Sequence, residues 1–164
     1  MKKFMKRFDW QTILVICLCL VLIFSYFVFK IIKLDIDGTP LLGNLVHYYL
    51  SPFELFNGTN DIDKEYISNI VSLGLLILPI CSILVSIFIK KKVKKIINAC
   101  IFLLVLGVFI YSFFYFRSLY VGGIEISSLL SLKTKIVLQI QGYIYIFIIV
   151  LGGAFSAIDF FKSK

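Results

Sequence analysis

His47 is the only histidine of the chain, and the acids nearest to it in sequence are Asp35, Asp37, Glu54, Asp61 and Asp63. A histidine with two or three carboxylates can hold a divalent cation or run acid–base chemistry, because imidazole titrates near neutral pH and carboxylates supply hard anionic ligands. Such a site requires the segment 34–65 to fold these residues together. The simpler expectation places His47 on the polar face of a short interfacial helix and leaves the acids to cap helices or face water. On that reading no catalytic, metal-binding or cofactor-binding residue is assigned. The run Asp61-Ile62-Asp63-Lys64-Glu65-Tyr66 opens like a calcium loop. Tyr66 stands where that loop needs glycine at its sixth position, which excludes an EF-hand.

The other residues able to do chemistry are the four cysteines, Cys17, Cys19, Cys81 and Cys100, and all lie inside apolar runs. A disulfide framework in an outer loop is therefore excluded. Cys17 and Cys19 are two residues apart, so on a helix they point in different directions and form neither a C-x-x-C redox pair nor a zinc pair.

The elements that must position these residues are set by composition. The chain of 164 residues is 60% hydrophobic with a mean hydropathy of +1.01 and a net charge of +8. A soluble domain is less apolar, so the solvent of most of this chain is lipid. The positive charge clusters at the ends of apolar runs, and no basic groove with interleaved aromatics is present, so nucleic acid is not an expected partner. Lysine far outnumbers arginine and alanine is scarce, which reads as AT-rich coding and a bacterial source.

The segment Lys90-Lys91-Lys92-Val93-Lys94-Lys95 fixes the orientation. It separates two apolar runs, and short lysine-rich loops stay cytoplasmic. The expected spans are 11–33, 66–89, 96–119 and 136–160, with outer loops 34–65 and 120–135 and a cytoplasmic loop 90–95. Eleven of the seventeen Lys and Arg then lie inside, which places both termini in the cytoplasm. Lys90, Lys91, Lys92, Lys94 and Lys95 serve as the topology signal. The aromatic residues Tyr111, Phe113, Phe114, Tyr115, Phe116 and Tyr120 read as an interfacial belt.

In the first outer loop, Thr39-Pro40 reads as a cap followed by proline at the first helical position. Leu41, Leu42, Leu45, Val46, Tyr49 and Leu50 would share one face of the helix that follows, with His47 on the other. Ser51-Pro52-Phe53-Glu54 has capping-box spacing. In the second outer loop, Ile124-Glu125-Ile126 alternates and allows a brief extended piece. Pro79 should kink the second spanning helix, which lipid tolerates where neighbours re-satisfy the freed carbonyl.

The expected fold is an all-α integral membrane protein: one domain over 1–164, an antiparallel four-helix transmembrane bundle with both termini cytoplasmic and short amphipathic helices in the first outer loop. Four spans with a longer first outer loop resemble the claudin topology. The Trp-Gly-Leu-Trp stretch and loop cysteine pair of claudins are absent, as are the Cys-Cys-Gly of tetraspanins and the C-x-x-C of vitamin K epoxide reductase-type enzymes. No family is assigned on topology alone.

No ionisable residue falls near mid-depth of a span, which argues against a proton-coupled transporter. Gly152/Ser156 and Gly153/Ala157 are small pairs at i,i+4, as are Ser82/Ser86, and such pairs let helices approach closely. The leading expectation is a non-enzymatic membrane protein that acts by binding another protein, as an accessory subunit of a transporter or envelope complex or an immunity-type protein. Its candidate interaction faces are Gly152, Gly153, Ser156, Ala157, Ser82 and Ser86 in the spans, and Leu41, Leu45, His47 and Tyr49 in the first outer loop. The expected partners are membrane lipids and either a second membrane protein or further copies of the chain. The alternatives are an oligomeric transporter or lipid-handling protein, and an outer-face enzyme built on His47 and the loop carboxylates.

Overall fold

The computed structural model describes residues 10–37, 46–57, 70–89, 91–120, 124–127 and 130–162. In chain order these form helix α1 (Trp10–Val28), strands β1 (Ile32–Asp37) and β2 (Val46–Leu50), and the short helix α2 (Pro52–Asn57). A single 3-10 turn (Ile70–Leu73) then leads into α3 (Gly74–Phe88), followed by α4 (Lys91–Tyr120), β3 (Ile124–Ser127), β4 (Leu130–Leu138) and α5 (Ile140–Lys162). Four helices, α1, α3 with its entry turn, α4 and α5, are long and apolar enough to cross a membrane. The 19 residues of α1 rise about 28 Å, close to the thickness of a bilayer's hydrocarbon core.

The four spanning helices pack as a ring. α1 lies against α3 and α5, and α4 closes the ring against the same two helices. The core follows helical spacing. Val15, Cys19, Leu22 and Tyr26 come from α1, Phe102, Val105 and Phe109 from α4, and Tyr145 and Ile149 from α5. Steps of three and four residues keep each set on one stripe. Outside the ring, Leu20, Phe24, Leu103, Leu104, Phe147 and Val150 are exposed. Apolar side chains outside as well as inside fit helices solvated by lipid.

Pro79 lies inside α3 and is buried. Its ring nitrogen has no hydrogen to give, so the Leu75 carbonyl one turn earlier loses its helical donor. The Tyr145 hydroxyl of α5 donates to that carbonyl at 3.5 Å. A neighbouring helix thus re-satisfies the freed group, as expected for proline in a span.

The bundle is helical, but the chain is not all-α. A four-stranded antiparallel sheet of order β2-β1-β4-β3 caps one end. β1 pairs with β2 through Ile32↔Leu50 to Ile36↔Val46, and with β4 through Ile32↔Leu138 to Asp37↔Lys133. The amphipathic helix expected after Thr39-Pro40 is therefore a strand over Val46–Leu50, while Leu41 and Leu45 lie outside the described residues. The brief extended piece at Ile124-Glu125-Ile126 is β3.

The sheet also moves two helix ends. α1 stops at Val28 and not at residue 33, because the next backbone groups pair sideways. The Lys30 N–H donates to Gln141 Oε1 at 2.5 Å, the Ile31 N–H donates to the Leu50 carbonyl, and the Ile31 carbonyl accepts from Gln139 N. α5 begins at Ile140 and not near 136, because Ile136, Val137 and Leu138 belong to β4. At the opposite end of the bundle, the expected loop 90–95 is mostly helix. Lys91–Lys95 form the first turns of α4, and Lys90 lies outside the described residues.

Candidate functional site

At the sheet end, the register places Asp35 between His47 on β2 and Lys135 on β4. Asp37 is paired with Lys133. Of the carboxylates considered with His47, Asp35 is its direct cross-strand partner. Asp61 and Asp63 lie outside the described residues. Among the described residues, no group of three or more His, Cys, Asp or Glu is placed to hold a metal ion. Tyr49 is exposed on β2, with the Lys33 ammonium 6.0 Å from its ring centroid.

Glu54 has a different role. Its carboxylate accepts from Ser51 N at 2.6 Å and from Ser51 Oγ at 2.9 Å, and Glu54 N donates to Ser51 Oγ at 3.3 Å. This is the capping box expected from the spacing. The Lys30 ammonium completes the carboxylate's contacts with a hydrogen-bonded ion pair. Burial alone would push the Glu54 carboxyl up. The bonds from Lys30 and Ser51, with the attraction of the Lys30 charge, outweigh it and hold the group below its ordinary value.

A depressed folded-state value means that this contribution is full above the ordinary carboxylate range and is lost as pH falls through the depressed value. The expected result is that acidification loosens α2 from the end of α1, at a cost of about 1 kcal/mol for a partly exposed pair. Hydrogen exchange across 50–57 measured against pH reads this loosening, and Glu54→Gln should flatten the profile. A profile unchanged by that substitution would remove the ion pair from the account.

Along the bundle, the two glycines of α5 separate. Gly152 is buried, and a Cβ built on it would collide with the ring of Phe102 on α4. Gly152 therefore packs closely against Phe102 of α4 and faces the chain's own interior. A Cβ on Gly153 meets only Phe102 Cβ, at an ordinary 3.5 Å. Gly153 lines a groove of about 350 Å³ on the flank of the bundle between α4 and α5, together with Ala99, Leu103, Val150, Ala154 and Ala157. Every residue lining it is apolar or small.

The serines turn inward. Ser82 Oγ donates to Asn98 Oδ1 at 3.0 Å, and Asn98 Nδ2 donates to Ser86 Oγ at 2.8 Å. All three residues are at most 4% exposed, so this is a closed polar layer joining α3 to α4 within one chain. Ser156 Oγ donates back to the Gly152 carbonyl at 2.9 Å. The Ser82/Ser86 spacing was visible in sequence, but its partner was not. Asn98 lies on the next helix, and only the packing of α3 on α4 brings it level with both hydroxyls.

The cysteines remain unpaired thiols, with Cys17 and Cys100 exposed on the flank and Cys19 buried. Lys94 and Lys95 are buried at 4% and 8% exposure, although the sequence placed them in a hydrated loop. Comparison with known proteins finds no matching family model, no matching curated protein and no matching solved structure.

Proposed function

We propose that the protein is a non-enzymatic, multi-pass protein of the cell membrane that works by binding a second membrane protein, as an accessory subunit or an immunity-type shield. The observation that carries this reading is the groove at Ala99, Gly153, Ala154 and Ala157, which no helix of the described chain fills. Lipid tails are as apolar as leucine, so greasy surface alone does not drive helices together in a bilayer. Small residues do, by letting a neighbouring backbone come close enough for dense van der Waals packing. The groove offers such an approach to a partner's spanning helix. In the orientation that accompanies this reading, the lysine end and both termini face the cytoplasm and the sheet faces outward.

The test is purification of the tagged protein from its native membrane in mild detergent, with co-purifying chains identified by mass spectrometry. A stoichiometric second membrane protein is expected. Gly153→Leu and Ala157→Leu fill the groove from within and should weaken its capture at least about tenfold without loss of insertion. A homogeneous complex of this chain alone, or a partner retained in full by both variants, would overturn the reading.

A further inference from the structure

Three of the four contacts in the ring join spans that are consecutive along the chain. The fourth joins α1 to α5, the first span to the last, and no chain connection bridges it. It is also the sparsest of the four. α4 meets α5 through Phe102 and Gly152, and α3 meets α4 through the Asn98 layer. At the lysine end, α1 touches α5 through Trp10, whose ring stands edge-on to that of Phe155 with centroids 6.3 Å apart. In lipid no hydrophobic force presses such helices together, because the tails solvate apolar side chains as well as a neighbouring helix does.

Closure of this seam comes from the sheet end. α1 ends at Val28 and β1 begins at Ile32, while β4 ends at Leu138 and α5 begins at Ile140. β1 and β4 therefore continue the two helices that form the seam. They pair along the whole of β1, from Ile32↔Leu138 to Asp37↔Lys133. At the foot of this ladder, the Gln139 N–H donates to the Ile31 carbonyl at 2.9 Å, and the Lys30 N–H donates to Gln141 Oε1. Gly142, in the first turn of α5, is buried. A Cβ on it would stand 2.9 Å from the Ile31 carbonyl oxygen and 2.7 Å from Leu138 Cδ1. The backbone oxygen cannot step aside as a side chain can, so glycine is what lets α5 start this close to the exit of α1. Ile31, Ile32 and Leu50 are buried at the same place, so side-chain packing reinforces the backbone bonds.

We propose that the sheet is a clasp on the bundle: the β1–β4 ladder and its junction hold the first span against the last, and the ring opens along the α1–α5 seam when they are released. The device is independent of the α4–α5 groove, whose lining belongs to the opposite flank of α5 and contains no residue of α1.

Trp10 is the only tryptophan of the chain, so full-length protein labelled with 5-fluorotryptophan gives one fluorine resonance that reports the far end of the seam. Phe155→Leu, which removes the ring beside Trp10, sets the position of that resonance for an open seam. Gly142→Val drives a side chain against the Ile31 carbonyl, 13 residues and about 20 Å along α5 from Phe155. It should move the resonance from the wild-type position to that of Phe155→Leu. Hydrogen exchange across 10–28 should become at least about tenfold faster, while exchange across 91–116 changes less than about threefold. Gln141→Leu removes only the acceptor of the Lys30 N–H and should move the resonance in the same direction by less.

Asn98→Ala is the control, because it loosens α3 from α4 and leaves the clasp alone. It should keep the wild-type resonance at a temperature where the protein remains folded. A wild-type resonance in folded Gly142→Val would overturn the clasp. Equal displacement by Asn98→Ala, or equal loss of protection in all four spans, would also overturn it in favour of general destabilisation. If Gly142→Val does not fold, Gln141→Leu decides, and an unchanged resonance in that variant would overturn the proposal.

Discussion

Gly152→Leu is expected to unfold the α4–α5 side of the bundle. The first added carbon already overlaps the ring of Phe102, which is 2% exposed and belongs to the buried core of the bundle. Three further carbons leave the ring no room beside α5. Overpacking of a filled core costs about 3 kcal/mol at its upper range, a large part of the total stability of a small domain. The measurement is thermal unfolding in detergent, where the variant should lose its cooperative transition or show a much lower Tm. Phe102→Ala in the same chain empties the overlapped space and should recover part of the loss, so the two substitutions are strongly non-additive. Gly153→Leu, one residue away, should leave Tm nearly unchanged because its side chain enters the groove. A wild-type Tm for Gly152→Leu would mean that α4 and α5 do not approach as described.

Asn98→Ala should have the next largest effect. Asn98 is both acceptor for Ser82 and donor to Ser86, so one truncation leaves two buried hydroxyls without their partner and opens a gap between α3 and α4. Interhelical hydrogen bonds in membranes are individually modest, so the combined loss is about 2 kcal/mol. Replacing all three residues, with Ser82→Ala, Ser86→Ala and Asn98→Leu, removes donors and acceptors together and should restore most of the stability. A triple variant less stable than Asn98→Ala alone would show that the layer is held by packing and not by its hydrogen bonds.

The spanning helices were legible because each is an unbroken apolar run of spanning length, a signal that local sequence carries in full. The sheet was harder to see, although part of its signal was present. Ile32-Lys33-Leu34-Asp35-Ile36-Asp37 alternates strictly, and so does Leu130-Ser131-Leu132-Lys133. The first of these runs abuts α1 without a break, and its apolar residues extend the hydrophobic stretch, so a helix boundary at Lys33 looked natural. Over Val46–Leu50 a window of five residues fits both a helical and a strand period. The choice was made by pairing with β1, which is in turn held by β4 about a hundred residues later.

For the same reason, neither the contact between His47 and Asp35 positions nor the Asn98 layer could be read locally, whereas the Ser51–Glu54 capping box spans four residues and could. Gly152 and Gly153 were indistinguishable as letters. Only the rotation of α5 against Phe102 separates a residue that closes the fold from one that lines its surface.

The pairing of β1 with β4 has a consequence for biogenesis. β1 leaves the ribosome early, directly behind the first span, but its partner from Leu130 to Leu138 emerges only after two further spans have been made. Until then the inner edge of β1 has only the short β2 beside it, and its remaining N–H and C=O groups are open to water or to other chains. Closure of this long-range contact is therefore a late event of maturation, slower than the helical hairpins that precede it. A nascent chain stalled before residue 130 would carry an inserted bundle lacking its last helix and an unzipped strand edge, which is the form a quality-control protease or a chaperone meets.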